Sequence, residues 1–354
     1  MSGGGNIHGF NNIISTENLF LAWKEFFRDK KNKKDATTFS LRLAENIFSL
    51  HNDLISKKYK HGCYEAFKIN DPKPRDIHKA TVRDRLLHHA VYRILYTYFD
   101  SKFIHDSYSC RLDKGTHKAI DRLRDFFRKV SKNHTKTCWV LKCDIRKFFA
   151  NIDYDILKSI LAEHIEDQDI LWLLGQAIDS FHSPVRALGS NFKRGLPLGN
   201  LTSQLLVNIF MNEFDQFVKR ELKVKYYIRY ADDFVFLSED KEYLNKILGQ
   251  VKAFLENKLR LNLHSNKVFI KTIASGVDFL GWVHFPKHRV LRTVTKRRMF
   301  RKLKENKKEE VKQSYLGMLS HGAGYKLTQK FQAFDILKQE SILYFEGPAE
   351  TKGF

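Results

Sequence analysis

The sequence has few cysteines, and their spacing argues against a zinc site. Only four occur among the 354 residues, and no two of them form a C-x-x-C pair. Cys138 and Cys143 lie five positions apart in a strand-like run, so their side chains should point to opposite faces of a strand. We expect the four cysteines to be reduced thiols in or near the protein core.

The sequence also lacks a long uncharged apolar run. No stretch reaches the roughly 18 apolar residues that a membrane-spanning helix needs. Residues 1–6 are glycine-rich and do not contain the apolar core of a secretory signal. Both absences favour a cytoplasmic protein that does not enter a membrane.

Negative charge is scarce relative to positive charge. The chain has 62 Lys and Arg residues against 40 Asp and Glu residues, a formal net charge of +22. A surface this positive attracts polyanions and releases their counterions on binding, so nucleic acid is the favoured partner and an anionic membrane surface is the alternative. With 43% hydrophobic residues, the chain can bury a large core, and its length predicts two or three subdomains around one groove.

Hydrophobic periodicity predicts an α+β fold. Apolar residues at helical spacing cover residues 15–60, with a lysine-rich break at 30–34, and recur at 84–99, from 116, at 201–217, at 241–259 and beyond 295. β-prone runs lie at 64–70, 75–78, 137–144, 225–237 and 277–283. The first two runs flank a turn signal at residues 71–74, so we predict that they pair as a hairpin.

Three aspartates lie at the ends of these predicted strands. Asp232 and Asp233 are predicted at the tip of a hairpin, and Asp144 ends a buried-looking strand where an unpaired carboxylate would be costly. If the strands are neighbours, the carboxylates converge and could hold two Mg²⁺ ions for nucleotidyl transfer. The alternative is a solvated turn, in which aspartate is common. We interpret Asp153 and Asp155 mainly as helix-start residues.

Several segments, in the same order along the chain, resemble the motifs of reverse transcriptases. Tyr230 to Asp233 resembles the family's Y-x-D-D box, and Asp144 to Phe149 resembles its first catalytic strand. Further segments extend the resemblance from about residue 60 to 300: the fingers-like Lys73 to Arg75 and Arg83 to Arg85, the loop and helix Gly195 to Gln204, and the primer-grip-like Val277 to Trp282. The resemblance implies a right-hand polymerase fold of the α+β class.

The resemblance also divides the chain into predicted regions. These are an N-terminal helical extension at 1–60, fingers at 61–135, a palm at 136–285 with a fingers insertion around 165–200, and a basic helical thumb at 286–354.

The resemblance implies a role for each matched residue. Asp144, Asp232 and Asp233 would be the catalytic residues and the ligands of two Mg²⁺ ions, for which Mn²⁺ could substitute. Phe149 falls at the steric-gate position, where a ring would collide with a ribose 2′-hydroxyl and favour deoxynucleotides. The remaining candidates for contact with the incoming nucleotide and template base are Lys73, Arg75, Arg111, Leu198, Gly199 and Lys267. For the cationic candidates, a solvated surface charge is the alternative.

The segment around Leu198 indicates which group of reverse transcriptases the chain resembles most. Leu198 stands before Gly199 where many relatives have glutamine, and Ser203 is followed by Gln204 where they have proline. This pattern is similar to the reverse transcriptases of diversity-generating retroelements, which copy a template-repeat RNA with errors at adenines and work with a small basic accessory protein. An apolar side chain at this position cannot make the amide contacts of glutamine, so base discrimination should be looser.

Other classes remain open. Bacterial reverse transcriptases of phage-defence systems share the Ser-Gln variant, and group II intron enzymes come third because nothing here resembles their endonuclease or DNA-binding extensions. A basic RNA-binding module without activity is the non-enzymatic alternative, although the three intact aspartates argue against it. The predicted partners are an RNA template, a DNA or RNA primer, deoxynucleoside triphosphates and an accessory protein, in a bacterial, archaeal or phage-encoded setting.

Overall fold

A computed structural model describes residues 9–70, 74–181, 193–305 and 308–330. The chain divides into two compact units: unit 1 comprises residues 1–119 and 141–270, and unit 2 comprises residues 120–140 and 271–354. These units follow compactness rather than function, so the four predicted regions from extension to thumb stay a prediction.

Unit 1 begins with four short helices, α1 (Phe10–Ile14), α2 (Thr16–Phe27), α3 (Lys34–Leu41) and α4 (Leu43–Ile55). Ser15 caps α2, because its side-chain oxygen accepts a hydrogen bond from the N–H of Asn18. The second predicted helix is interrupted at Arg42, whose φ of −122° and ψ of 41° are not helical. The buried apolar side chains follow the predicted periodicity and include Leu19, Ala22, Trp23, Phe26, Ile47 and Leu50.

A two-stranded hairpin and a long helix follow. Strands β1 (Glu65–Ile69) and β2 (Arg75–Lys79) pair antiparallel, which confirms the predicted hairpin. Helix α5 (Val82–Asp100) is capped by Thr81, whose hydroxyl accepts from the N–H of Asp84. This helix packs against α2 and against α9 (Leu201–Gln216), so it forms the centre of the helical part of unit 1.

A four-stranded sheet carries the candidate site. Its strands are β3 (Trp139–Asp144), β4 (Tyr227–Tyr230), β5 (Asp233–Ser238) and β6 (Phe269–Thr272), in the order β4-β5-β3-β6. β4 and β5 form an antiparallel hairpin in which Tyr230 is opposite Asp233. The hairpin loop therefore consists of Ala231 and Asp232 alone.

Three further α-helices lie in the described part of unit 1: α7 (Tyr154–His164), α8 (Gln168–Asp179) and α10 (Lys241–Leu259). Asp153 caps α7 by accepting from the N–H groups of Asp155 and Ile156, as the interpretation of a helix-start residue requires. The same carboxylate accepts from Arg260, so a fully buried aspartate is paired.

Unit 2 contains most of α6 (Thr116–Val130), a small antiparallel sheet and two further α-helices, of which the first is strongly basic. The sheet has the order β7 (Val277–Phe279), β8 (Trp282–His284) and β9 (Arg289–Leu291), followed by α11 (Thr293–Glu305) and α12 (Glu309–Leu319). Gly322 lies so close to the Trp282 ring that a Cβ would come within 2.1 Å of it, so the position requires glycine. Arg289 packs over the same ring and donates to Asp121 at 2.9 Å.

Helices alternate along the chain with sheets whose β1–β2, β4–β5, β7–β8 and β8–β9 pairs are antiparallel, which confirms the α+β class. Across the described ranges, no helix is both long and apolar enough to span a bilayer. All four cysteines lie in the described ranges and none forms a disulfide, and Cys138 and Cys143 are buried as predicted. The same prediction was wrong for Cys63 and Cys110, which are exposed because they lie in irregular segments outside the sheet.

Candidate active site

The end of β3 lies beside the loop of the β4–β5 hairpin. The N–H of Ile145, directly after Asp144, donates to the carbonyl oxygen of Asp232 at 3.1 Å. Asp144 is the last residue of β3 and Asp233 is the first residue of β5, its neighbour in the sheet. The fold therefore brings the three predicted aspartates together, although they are far apart in the sequence.

The three carboxylates influence one another. Burial, and then the negative charge of Asp144, raises the pKa of Asp232. Burial also raises the pKa of Asp233 to about 7, although the ammonium of Lys142 acts in the opposite direction. Removal from water and crowding of like charge both disfavour ionised carboxylates, so a cation bound between them would be stabilising.

Two lysines face these carboxylates. Lys267 donates from Nζ to Oδ1 of Asp144 at 2.7 Å, and Lys142 Nζ lies 3.1 Å from Oδ1 of Asp233. The side chain of Lys142 is only 8% exposed, so Asp233 is the partner of a buried charge. The sequence interpretation did not single out Lys142. The available signal was a lysine inside a β-prone run, two positions before Asp144 and thus on the same face of the strand.

The donor set of the site suits Mg²⁺. Within the part of the chain that the structure describes, no three or more His, Cys, Asp or Glu side chains are grouped so that they could hold a metal ion. Asp144 and Asp232 nevertheless offer hard carboxylate oxygens, and Mg²⁺ commonly binds through one or two carboxylates together with waters and substrate phosphates. Because Asp233 is engaged by Lys142, the arrangement fits two of the predicted metal ligands better than three.

The loop before α9 forms backbone hydrogen bonds with Phe149 on one side and with β2 on the other, and it contains Leu198. The N–H of Leu196 donates to the carbonyl oxygen of Phe149 at 2.8 Å. The carbonyl oxygen of Leu198 accepts from the N–H of His78 in β2 at 3.2 Å. Phe149 and Leu198 are both half-buried, so part of each residue remains accessible to a ligand.

Gly199 is a residue of this loop whose backbone conformation favours glycine. Its φ is +101°, and a Cβ built on it would lie 3.1 Å from the side chain of Ile77 in β2. Next to it, the side-chain amide of Asn200 donates to the carbonyl oxygen of His78 at 3.1 Å. The loop is therefore fixed against β2 by backbone, side-chain and packing contacts.

Arg75 lies close enough to influence the aspartates. It is exposed on β2, and its positive charge, like that of Lys267, opposes the rise in the pKa of Asp232. Lys73, the other cation predicted in this segment, lies outside the described residues.

Arg111 has contacts of a different kind. Its side chain is 6% exposed, and its guanidinium donates to the carboxylate of Asp100 at 2.6 Å and to the carbonyl oxygens of Ile104 and Ser107. A guanidinium with these partners is held inside the fold. The contacts favour a structural role over the predicted nucleotide contact.

Comparison with known protein families gives a match over more than half of the chain. A model described as "Reverse transcriptase (RNA-dependent DNA polymerase)" matches residues 65–284. The chain is similar to protein YkfC of Escherichia coli K12, with 27% identity over 292 residues that cover 72% of this chain and 74% of that protein. It is also similar to the group II intron-encoded protein LtrA of Lactococcus lactis, with 24% identity over 277 residues, 61% of this chain but only 45% of that protein. A solved structure of apo telomerase from Candida tropicalis, truncated from its C-terminal domain, is matched with a TM-score of 0.49 and 12% identity over 69% of this chain and 59% of that one.

Proposed function

The chain belongs to the reverse transcriptase family, and from this premise we propose that it is an RNA-directed DNA polymerase that copies an RNA template into cDNA. The observation that carries the proposal is the hydrogen bond of 3.1 Å between Ile145 and Asp232, which joins the strand of Asp144 to the loop of Asp232. A solvated turn gives no reason for a second carboxylate at the end of the neighbouring strand.

Asp144 and Asp232 are the proposed catalytic carboxylates and the proposed metal ligands. When bound there, divalent ions supply the charge that activates the primer 3′-hydroxyl and stabilises the leaving pyrophosphate. Lys267 neutralises Asp144 and, because it is 39% exposed, its ammonium can turn away to another anion. Asp233 has a supporting part in the proposal, since its ion pair with Lys142 fixes the beginning of β5 against β3.

The proposed nucleotide contacts surround this centre. Arg75, exposed on β2, would bind the triphosphate, because a guanidinium matches phosphate geometry with two parallel hydrogen bonds. Phe149 would exclude the ribose 2′-hydroxyl by contact, and Leu198 with Gly199 would lie against the nascent base pair. Arg111 is left out because its donors are already used inside the fold.

Primer extension tests the activity. We expect purified protein with Mg²⁺ to extend oligo(dT) on poly(rA) with deoxythymidine triphosphate, and to incorporate the ribonucleotide far less well. If no DNA product forms with several primers and with Mg²⁺ or Mn²⁺, while RNA still binds, the chain is the silent RNA-binding module and the proposal fails.

The finer proposal is that synthesis is error-prone at template adenines, as in a diversity-generating retroelement. It rests on the apolar Leu198 beside the left-handed Gly199, where a glutamine amide could read the base pair. Sequencing of cDNA copied from a heteropolymeric RNA tests it: errors concentrated opposite adenines support it. Uniformly accurate copies would favour the alternative, a reverse transcriptase of phage defence. The predicted small basic accessory protein would then have no support, because it follows from the retroelement proposal alone.

A further inference from the structure

Arg229 is a fully buried cation on β4, two residues before the hairpin loop that carries Asp232. Its side chain and that of Asp215 on α9 are both 0% exposed. Arg229 donates from Nε to Oδ1 of Asp215 at 2.8 Å and from a terminal nitrogen to Oδ2 at 2.6 Å. This is the bidentate geometry that gives a guanidinium–carboxylate pair its directional strength.

The other arm of the guanidinium reaches the hairpin loop. The second terminal nitrogen of Arg229 donates to the carbonyl oxygen of Ala231 at 3.2 Å. Ala231 has a φ of +54°, a left-handed conformation that is unfavourable for a residue with a Cβ. Two-residue hairpin loops need a positive φ and normally use glycine or asparagine for it. An alanine in this place keeps its conformation because its surroundings determine it.

The loop conformation in turn determines where Asp232 lies. Asp232 follows Ala231 directly, and its carbonyl oxygen is bonded to the N–H of Ile145 at the end of β3. One chain of contacts therefore runs from α9 through Asp215 and Arg229 to the loop that holds Asp232.

We propose that Arg229 and Asp215 are positioning residues for catalysis, which set the loop conformation that carries Asp232 toward Asp144. This inference rests on the proposed polymerase function and identifies the residues that fix the loop of its active site. Both side chains are fully buried, so they act on substrate only through the residues that they position. Their effect is the orientation of the loop, and loss of it moves a metal-binding carboxylate.

If the pair only stabilised the fold, a variant that keeps the stability should also keep the activity. Such a variant can be made, because a buried ion pair can often be replaced by apolar residues of similar volume without loss of stability. The central variant is therefore the double substitution Arg229→Met with Asp215→Leu. We expect it to fold, with a melting temperature near that of the wild type, and to bind template–primer normally. We expect kcat to fall about 100-fold, since small displacements of catalytic groups have effects of that order. The Mg²⁺ concentration for half-maximal rate should rise several-fold.

Arg229→Lys covers the case in which the double variant fails to fold. Lysine keeps the charge opposite Asp215 but cannot serve Asp215 and the carbonyl oxygen of Ala231 with one planar group. It should retain folding and template–primer affinity yet lower kcat and raise the Mg²⁺ requirement. A wild-type kcat and Mg²⁺ requirement in this variant would overturn the proposal.

Tyr227→Phe is the matched control. The Tyr227 hydroxyl donates to Oδ1 of the same Asp215 at 2.7 Å, but no contact of it reaches Ala231 among the described hydrogen bonds. We expect this variant to lose stability without the change in Mg²⁺ requirement. If kcat follows melting temperature equally in all these variants, the pair is only structural and the inference is wrong. An inactive wild-type protein would instead refute the proposed function.

Discussion

Units 1 and 2 differ most in how they distribute charge. Unit 1 has 39 basic and 30 acidic residues among 249, a net charge of +9, whereas unit 2 has 23 basic and 10 acidic residues among 105, a net charge of +13. Unit 2 thus has less than a third of the residues and more than half of the net charge. The overall value of +22 hides this difference.

Three ion pairs lie at or near the candidate site of unit 1. Asp144 binds Lys267, Asp233 binds Lys142, and Asp215 binds Arg229. In unit 2, by contrast, α11 presents exposed cations, among them Lys296, Arg297 and Lys304. Paired buried charges fix geometry, whereas exposed charges of one sign attract a polyanion over a distance. We infer that unit 1 supplies the chemistry and unit 2 supplies much of the affinity for nucleic acid.

The largest expected effect is that of Asp232→Asn in unit 1. Amide oxygens lack the charge that holds a divalent ion, so we expect primer extension to fall by at least about 1,000-fold, a loss of about 4 kcal/mol of transition-state stabilisation. RNA affinity should stay within about twofold, because the cations that bind phosphate are untouched. Asp240→Asn is the control: Asp240 caps α10 on the surface, and asparagine caps equally well. A parallel loss of RNA affinity in Asp232→Asn would break the division between the units.

The next effect comes from unit 2. Replacing Lys296, Arg297 and Lys304 together by glutamine should weaken template–primer binding about 10- to 100-fold at 0.1 M salt. The slope of log affinity against log salt concentration should fall by about two to three, because up to three phosphate contacts are lost. The rate at saturating template–primer should hardly change. Filter binding over a range of salt concentrations measures both quantities.

The matched control for unit 2 lies in unit 1. Lys246, Lys252 and Lys258 are exposed on α10, and their replacement by glutamine removes the same charge from the chain. Equal losses of affinity in the two triple variants would show that only the total charge matters, and the comparison between the units would then have no functional meaning.

Much of unit 1 could be predicted because its signals are local. The hairpin over 225–237, helix α10 and the pairing of β1 with β2 follow from turn residues and from apolar periodicity, and the structure confirms them. The break at Arg42 was missed, because the apolar spacing continues through it and only the backbone angles end the helix.

The contacts that position the site were not predictable in the same way. Lys142 is the one cation of β3 and Arg229 the one cation of β4. A cation in a buried strand indicates that a partner must exist but not which one. Their partners Asp233 and Asp215 lie 91 and 14 positions away, and only the strand order brings Lys142 and Asp233 together. Arg111 shows a related point: a buried structural cation and a ligand-binding cation look alike in a sequence, so its nucleotide contact stays a prediction.

Unit 2 also contains a buried titratable group, His284 on β8. Burial lowers its pKa to about 4. Arg289 acts in the same direction, and the carbonyl oxygen of Phe279 with the charges of Asp278 and Asp121 acts against it. A histidine with a lowered pKa in the folded state contributes stability above its unfolded value of about 6.5, and this contribution is lost as the pH falls toward 4.

His284→Gln should therefore make unit 2 less sensitive to acid. Between pH 7.5 and 5.5, the wild type should lose about 1 kcal/mol that the variant does not lose. The difference between their melting temperatures should shrink accordingly, with faster hydrogen exchange of β8 in the wild type at the lower pH. A constant difference over this range would mean that His284 titrates normally and that the burial of β8 is incomplete in solution.

The smallest expected effect concerns the accuracy of copying, which we propose depends on unit 1 alone. Leu198 lies in the loop that is bonded to Phe149 through Leu196 and to β2 through His78, so Leu198→Gln adds an amide to a loop that is already fixed. We expect errors opposite template adenines to fall about threefold or more, since polar contacts reject wrong partners better than apolar ones do. Sequencing of cDNA measures this, with Leu198→Met as the control that keeps an apolar side chain of similar size. The triple glutamine variant of α11 should leave the error spectrum unchanged, because it alters how long the template–primer stays bound and not how a base pair is judged. An altered spectrum in that variant, with none in Leu198→Gln, would place base selection outside unit 1.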